Sequence, residues 1–236
     1  MTRTPIWLAI ATGLRRDISG GQYAAGDKLP TEAVLAVRYG VNRHTVRRAV
    51  KELAEEGLVH ARRGAGVFVT MAPTDYPIGR RVRFHQNLIA AGRTPAKDIL
   101  HLMTRAADTE ERGALALPEG AQVHAYEGLS LADEQPIALF RSIFPAARFP
   151  DFCTLIKQTR SVTQALAASG VADYTRATTR LNATTASTTQ ALHLRIADGA
   201  PILRTIAVNV DPQKIPVEYG HTWFAGDRVT LTLGDD

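Results

Sequence analysis

Apolar residues Trp7, Ile10, Leu14 and Ile18 recur at helical spacing, and Gly20-Gly21 ends the run, which predicts a first helix over 6–20. A turn follows from Tyr23 to Pro30, with Gly26-Asp27 inside it. Thr31 can cap a short helix over 31–39 that Gly40 stops. Asn42 can cap a third over 43–56 that ends at Gly57. Leu58–Arg62 and Gly66–Thr70 then predict two short strands joined through Arg63-Gly64-Ala65. Three short helices followed by a hairpin make a winged helix-turn-helix.

The pattern changes after residue 70. Residues 71–79, MAPTDYPIG, hold two prolines and a glycine and predict a linker between a domain at 1–70 and another at 80–236. The second domain predicts as α+β. Its helices are expected near 82–91, 108–115, 149–157, 161–169 and 187–194. Its strands are expected at 97–105, 121–132, 136–144, 174–184, 201–210, 215–224 and 228–233. Turns at Asp133-Glu134, Asp211-Pro212 and Gly226-Asp227 join several of these strands as antiparallel hairpins.

Composition narrows the function classes. Of 236 residues, 45% are apolar and 22% charged, the balance of a folded chain rather than a disordered one. No run approaches the roughly 18 apolar residues of a membrane span. The first residues lack a cleavable-signal pattern, so no membrane partner is expected and the cytoplasm is the default location. Cys153 stands alone, which rules out an internal disulfide and cysteine-built zinc or iron–sulfur sites. No cofactor or metal is expected. The net charge of +5 sits entirely in the first domain: residues 1–70 hold 11 Lys/Arg against 6 Asp/Glu, and residues 71–236 hold 17 of each. A small basic unit joined to a larger neutral one points to a polyanion-binding module attached to something else.

The third helix sharpens this. At about 100° per residue, Arg43, His44, Arg47, Arg48 and Lys51 fall on one arc and Val46, Ala49, Val50 and Leu53 on another. Like charges at i,i+4 oppose an isolated helix, and an external polyanion removes that opposition. In a helix-turn-helix the second helix of the pair enters the major groove with its N-terminal residues at base edges, where arginine reads guanine. Asn42, Arg43, His44, Thr45 and Arg47 occupy that end. Arg62 and Arg63 beside Gly64 and Gly66 would let the hairpin backbone approach a phosphate closely.

The ordered stretches G-D-K-L-P-T-E (26–32), V-N-R-H-T-V-R-R-A (41–49), L-A-E-E-G-L-V (53–59) and R-R-G-A-G-V-F-V (62–69) resemble the GntR family of bacterial repressors. The resemblance implies DNA contacts from Thr31 and Glu32, from Arg43, Thr45 and Arg47, and from Arg63, Gly64 and Gly66. It also implies a homodimer on a palindromic double-stranded DNA operator. Ala33 departs from the family's commonly basic residue, and Asn42 and His44 fill positions usually held by serine and a variable residue.

Residues 80–236 resemble the UTRA effector domain of the HutC branch, a fold similar to chorismate lyase with a mainly antiparallel sheet flanked by helices. The landmarks are R-F-H-Q-N-L (83–88), P-I-A-L-F-R-S-I-F-P (136–145), P-V-E-Y (216–219) and G-D-R-V-T-L (226–231). With D-Y-P in the linker, the pattern is similar to the branch's phosphonate-utilisation regulators. It implies a small anionic effector, such as a phosphonate or phosphate ester, between the first helix of the domain and the sheet. The residues expected there are Arg83, Phe84, His85, Arg141, Ser161, Glu218, Tyr219 and His221, with Arg141 as the guanidinium for the anion. Arg176 and Arg180 read as mainly structural. The two arginines that hold amino-sugar phosphates in relatives are missing from Ala125–Leu129, which argues against that ligand mode. Two alternatives remain open from the residues: an enzyme of the lyase-like fold, although no H-E-x-x-H, G-x-S-x-G or P-loop is present, and a nucleic-acid-binding protein that senses nothing. The expected function is non-enzymatic transcription control.

Overall fold

A computed structural model describes residues 5–62, 64–70, 73–81 and 84–233, without the side chain of Arg62. The expected roles of Arg62, Arg63 and Arg83 therefore lie outside the described side chains. The chain divides into two compact units, Met1–Ala72 and Pro73–Asp236.

The first unit contains α1 (Ile6–Ser19), α2 (Glu32–Tyr39), α3 (Arg43–Glu55), β1 (Val59–Arg62) and β2 (Gly66–Val69). Its apolar periodicity becomes a small core of Ile10, Leu14, Leu35, Val46, Ala49, Leu53, Val59 and Val69. The helix ends are set by local chemistry. Thr31 Oγ1 accepts from Val34 N at 3.3 Å and starts α2. Gly40, at φ 64°, stops α2 in the left-handed conformation that costs glycine least. Strands β1 and β2 pair antiparallel from Val59↔Val69 to Arg62↔Gly66. Helices and hairpin together are the winged helix-turn-helix.

The second unit is built on a six-stranded antiparallel sheet in the order β4 (Pro95–Ala106), β5 (Gln122–Ala132), β6 (Gln135–Pro145), β9 (Pro216–Ala225), β8 (Pro201–Val210) and β7 (Thr175–Thr185). In chain order its elements are β3 (Thr74–Pro77), α4 (Phe84–Ala90), β4 (Pro95–Ala106), α5 (Thr109–Leu115), β5 (Gln122–Ala132) and β6 (Gln135–Pro145). Then follow α6 (Phe152–Thr159), α7 (Val162–Ala168), β7 (Thr175–Thr185), α8 (Thr188–Leu194), β8 (Pro201–Val210), β9 (Pro216–Ala225) and β10 (Val229–Thr232). One face of the sheet packs Tyr126, Phe140 and Phe144 against Phe152 and Ile156 of α6 and Leu166 of α7, and packs Ala138 and Phe224 with Leu88 of α4. The other face is covered only towards its ends. There Leu115 of α5 meets Val123, Ile143 and Tyr219, and Leu194 of α8 meets Ile202, Leu139 and Trp223.

Two expectations are corrected. Thr74–Pro77, read as linker, is a strand paired in parallel with β10, from Thr74↔Val229 to Pro77↔Thr232. Its prolines sit where a two-stranded edge tolerates them. The helix expected from 149 starts at Phe152, because Pro150 holds Phe149 away from the helical region.

Candidate functional site

Each unit presents a candidate site among its described residues. In the first, Asn42 caps α3: its Oδ1 accepts from Thr45 N at 2.9 Å and from Thr45 Oγ1 at 3.0 Å. Asn42 and Thr45 thus face each other. The cap holds the start of α3 open to solvent, and Arg43 and His44 stand exposed there, with no hydrogen bond or ion pair among the described residues. Arg47 is exposed and engaged. Its Nε donates to Glu32 Oε1 at 2.9 Å and its Nη2 to Glu32 Oε2 at 2.7 Å. That fork lowers the Glu32 carboxyl below its usual range, through hydrogen bonds from Arg47 first. It also sets the direction of the guanidinium from a residue one helix away.

The remaining cations of the arc are fastened sideways. Arg48 lies 4.4 Å over the Trp7 ring, and Lys51 pairs with Glu55 at 3.4 Å. The cationic arc read from the sequence therefore narrows to its N-terminal end, Arg43, His44 and Arg47. In the hairpin, Gly64 and Gly66 take φ 73° and 118°, and a Cβ on Gly66 would meet Lys28 Cε at 2.7 Å. The turn needs glycine there, and the bare backbone faces outward.

In the second unit a cavity of about 490 Å³ lies on the helix-covered face of the sheet. Phe84, His85, Ser161 and Glu218 of the expected set line it. Arg141, Tyr219 and His221 do not. Residues 138, 140 and 142 of β6 and residues 218, 222 and 224 of β9 point into the cavity, so 141, 219 and 221 point to the opposite face. There Arg141 Nε donates to Glu127 Oε1 at 2.5 Å. Tyr219 O–H donates to Glu110 Oε1, also at 2.5 Å. His221 lies between Tyr219, which it meets edge to face, and Trp223, whose ring is tilted against it, with ring centroids at 4.9 and 5.9 Å. Ser161 has a second duty: its Oγ accepts from Gln164 N at 3.3 Å and caps α7.

A cation outside the expected set, Lys97 of β4, lines the cavity. Its Nζ lies 4.0 Å from the Phe140 ring centroid and 4.8 Å from that of Phe84. It forms no ion pair or hydrogen bond among the described residues. Burial pushes it down from 10.5 to about 8, against the pull of the Glu218 charge. His85 is held below its ordinary value by burial first and by the Lys97 charge second, so it is neutral at pH 7. Arg176, read from the sequence as mainly structural, also lines the space. Its Nε donates to Asn209 Oδ1 at 3.4 Å, and Asn209 Nδ2 donates to Glu218 Oε2 at 2.6 Å. The signal for Lys97 was parity: a lysine on the same face as Ile99 stands among residues that otherwise turn inward. Among the described residues no group of His, Cys, Asp and Glu could hold a metal ion, and no helix is long and apolar enough to cross a membrane.

Comparison with known proteins agrees with this division. Residues 8–69 match the model of bacterial regulatory proteins of the gntR family, and residues 90–230 match that of the UTRA domain. The chain belongs to the GntR family and carries a UTRA domain. It is 39% identical to RB1450 of Rhizobium meliloti (strain 1021), named an uncharacterized HTH-type transcriptional regulator, over 97% of this chain and 94% of that one. It is 33% identical to PhnF of Escherichia coli (strain K12), named a probable transcriptional regulator, over 89% of this chain and 88% of the relative. The crystal structure of PhnF from Mycobacterium smegmatis shares the fold, with a TM-score of 0.66 at 24% identity, over 96% of this chain and 99% of that one. As a GntR-family protein with a UTRA domain, the chain is a transcriptional regulator. Its DNA-binding unit is the one that holds the whole positive surplus.

Proposed function

We propose that this regulator is a dimeric repressor whose α3 and hairpin read a palindromic operator, and whose UTRA cavity takes a small anion that shifts operator affinity. The observation that carries the effector half is Lys97, a half-buried cation set against two aromatic rings, with no counter-ion among the described residues, in a cavity of small-molecule size. A buried charge without a partner is costly, and an anionic ligand removes that cost. Similarity to phosphonate-utilisation regulators favours a phosphonate or a phosphate ester as that anion. Arg43, His44 and Arg47 support the operator half, because they stand exposed at the end of α3 that a helix-turn-helix turns to base edges. Two-fold symmetry of the dimer would match a palindrome. Ligand need only favour one arrangement of the two DNA-binding units over another.

The test is a fluorescence-anisotropy titration of a duplex from upstream of this protein's own gene, with and without phosphonates, phosphate esters and inorganic phosphate. Tight binding that one phosphorus compound shifts is the expected result. Tight binding that none of them shifts refutes the effector half. Unchanged operator binding by the double variant Arg43→Ala, Arg47→Ala refutes the operator half, since losing two base- or phosphate-directed arginines should weaken binding by at least about tenfold.

A further inference from the structure

An anion alone would leave part of the cavity unanswered. Among the described residues, neither Lys97 nor Arg176 forms an ion pair with a carboxylate, and Glu218 forms none with a cation, although all three line the cavity. Opposite charges that line one cavity attract and ordinarily close into a salt bridge. Here the protein keeps them apart. Asn209 stands between Arg176 and Glu218, accepting from one and donating to the other at 3.4 and 2.6 Å. Lys97 is held on the rings of Phe84 and Phe140. Glu218 Oε1 accepts no hydrogen bond from any described residue, so one carboxylate oxygen is available to a ligand. A purely anionic ligand would gain from Lys97 and lose to Glu218.

Resting on the anion-sensor reading above, we infer that the effector is a zwitterion: a small aminoalkyl phosphonate or aminoalkyl phosphate ester, with its anionic head at Lys97 and its ammonium at Glu218. The charges balance on this assignment. Two cations and one carboxylate leave the described lining with one surplus positive charge. A doubly charged head with one ammonium carries one net negative charge and cancels it.

Calorimetric titration of the full-length protein tests this with two matched pairs: ethylphosphonate against 2-aminoethylphosphonate, and ethyl phosphate against phosphoethanolamine. Within the pair that binds, the aminated member should bind about tenfold tighter or better, the size of a charge-assisted hydrogen bond. Which pair binds distinguishes a phosphonate from an ester source. In Glu218→Gln, which keeps an oxygen for Asn209, the aminated member should lose that advantage. A thermal melt of the variant shows whether it is folded. Equal or tighter binding of the unaminated members to the wild-type protein overturns the zwitterion and leaves the anion sensor standing. An undiminished amine preference in folded Glu218→Gln overturns Glu218 as the ammonium's partner. If none of the four binds a wild-type protein that still binds its operator, the anion sensor itself fails.

Discussion

Lys97 is charged at neutral pH and close to losing that charge, because Phe84, Phe140 and the surrounding wall replace its water. The other titratable groups among the described lining of its cavity are His85 on α4, Tyr76 on β3, Tyr174 just before β7, Arg176 on β7 and Glu218 on β9, and of these Glu218 favours the ammonium. In the unfolded chain this lysine keeps its proton to about 10.5; in the fold it releases it near 8. Between those values the unfolded state binds more protons, so this group's contribution to stability rises with pH across that window. Below about 8 the fold bears the full cost of burying the charge. Urea midpoints at about pH 7 and about pH 9.5 should therefore show the wild-type protein gaining on Lys97→Met as pH rises. Anion affinity should move the other way and fall above about pH 8, as the ammonium is lost. The same scale shows what was and was not legible beforehand. Glu218 and Tyr219 are adjacent on one strand, so only one of them can face a given side, and parity alone separates them. Arg141 was harder. Its strand, P-I-A-L-F-R-S-I-F, is apolar on both faces, and no alternation marks which side a lone arginine takes. Only its cross-strand neighbours Glu127 and His221 reveal the side.

At the scale of elements, helices and strands follow the residue pattern closely, because caps and glycines mark their ends. Asn42 and Thr31 cap where a cap was expected, Ser161 caps α7, and Gly57 takes the positive φ, 74°, that ends the third helix. What the pattern lacks is the third dimension of the sheet. Lys97 on β4 and Arg176 on β7 belong to the two outermost strands, yet both line one cavity, which requires the sheet to twist and coil. Gly128 on β5 is one place where that close packing is visible. It pairs with Ile99 at the irregularity of β4, and a Cβ there would lie 2.3 Å from the Asp98 carbonyl oxygen and 2.8 Å from the Phe140 ring. Backbone cannot give way as a side-chain tip can. Gly128→Ala should lose about 1–3 kcal/mol or more in urea denaturation. Gly113→Ala is the contrast. Gly113 lies exposed within α5, with nothing within 4 Å of its virtual Cβ. Alanine there should gain about 0.5–1 kcal/mol in the same experiment, since it loses less backbone freedom on folding. Equal effects at the two positions would show that close approach at β5 is not what the glycine serves.

For the whole molecule, the segregation of charge was the most legible feature and has the plainest consequence. The first 70 residues hold the entire surplus, and the remainder is balanced. Binding at the first unit should therefore release counter-ions from DNA, and binding at the second should not. If two copies of the unit together neutralise about 6–10 phosphates, operator affinity should fall by roughly 10³–10⁵ between about 50 and about 200 mM salt. Effector affinity, set inside a cavity where mobile ions screen little, should change far less over the same range. Coupling between the sites obeys a stricter rule. Whatever factor the effector applies to operator affinity, operator must apply to effector affinity under the same conditions, because both legs close one thermodynamic cycle. Anisotropy titrations at several salt concentrations, each with and without saturating effector, measure both quantities at once. The expected result is two parallel lines of log affinity against log salt, separated by the coupling factor. Lines that converge would mean that the effector changes how many phosphates the protein engages, and that it acts by altering the DNA-bound contacts themselves. A flat dependence on salt would refute the assignment of DNA binding to the basic first unit.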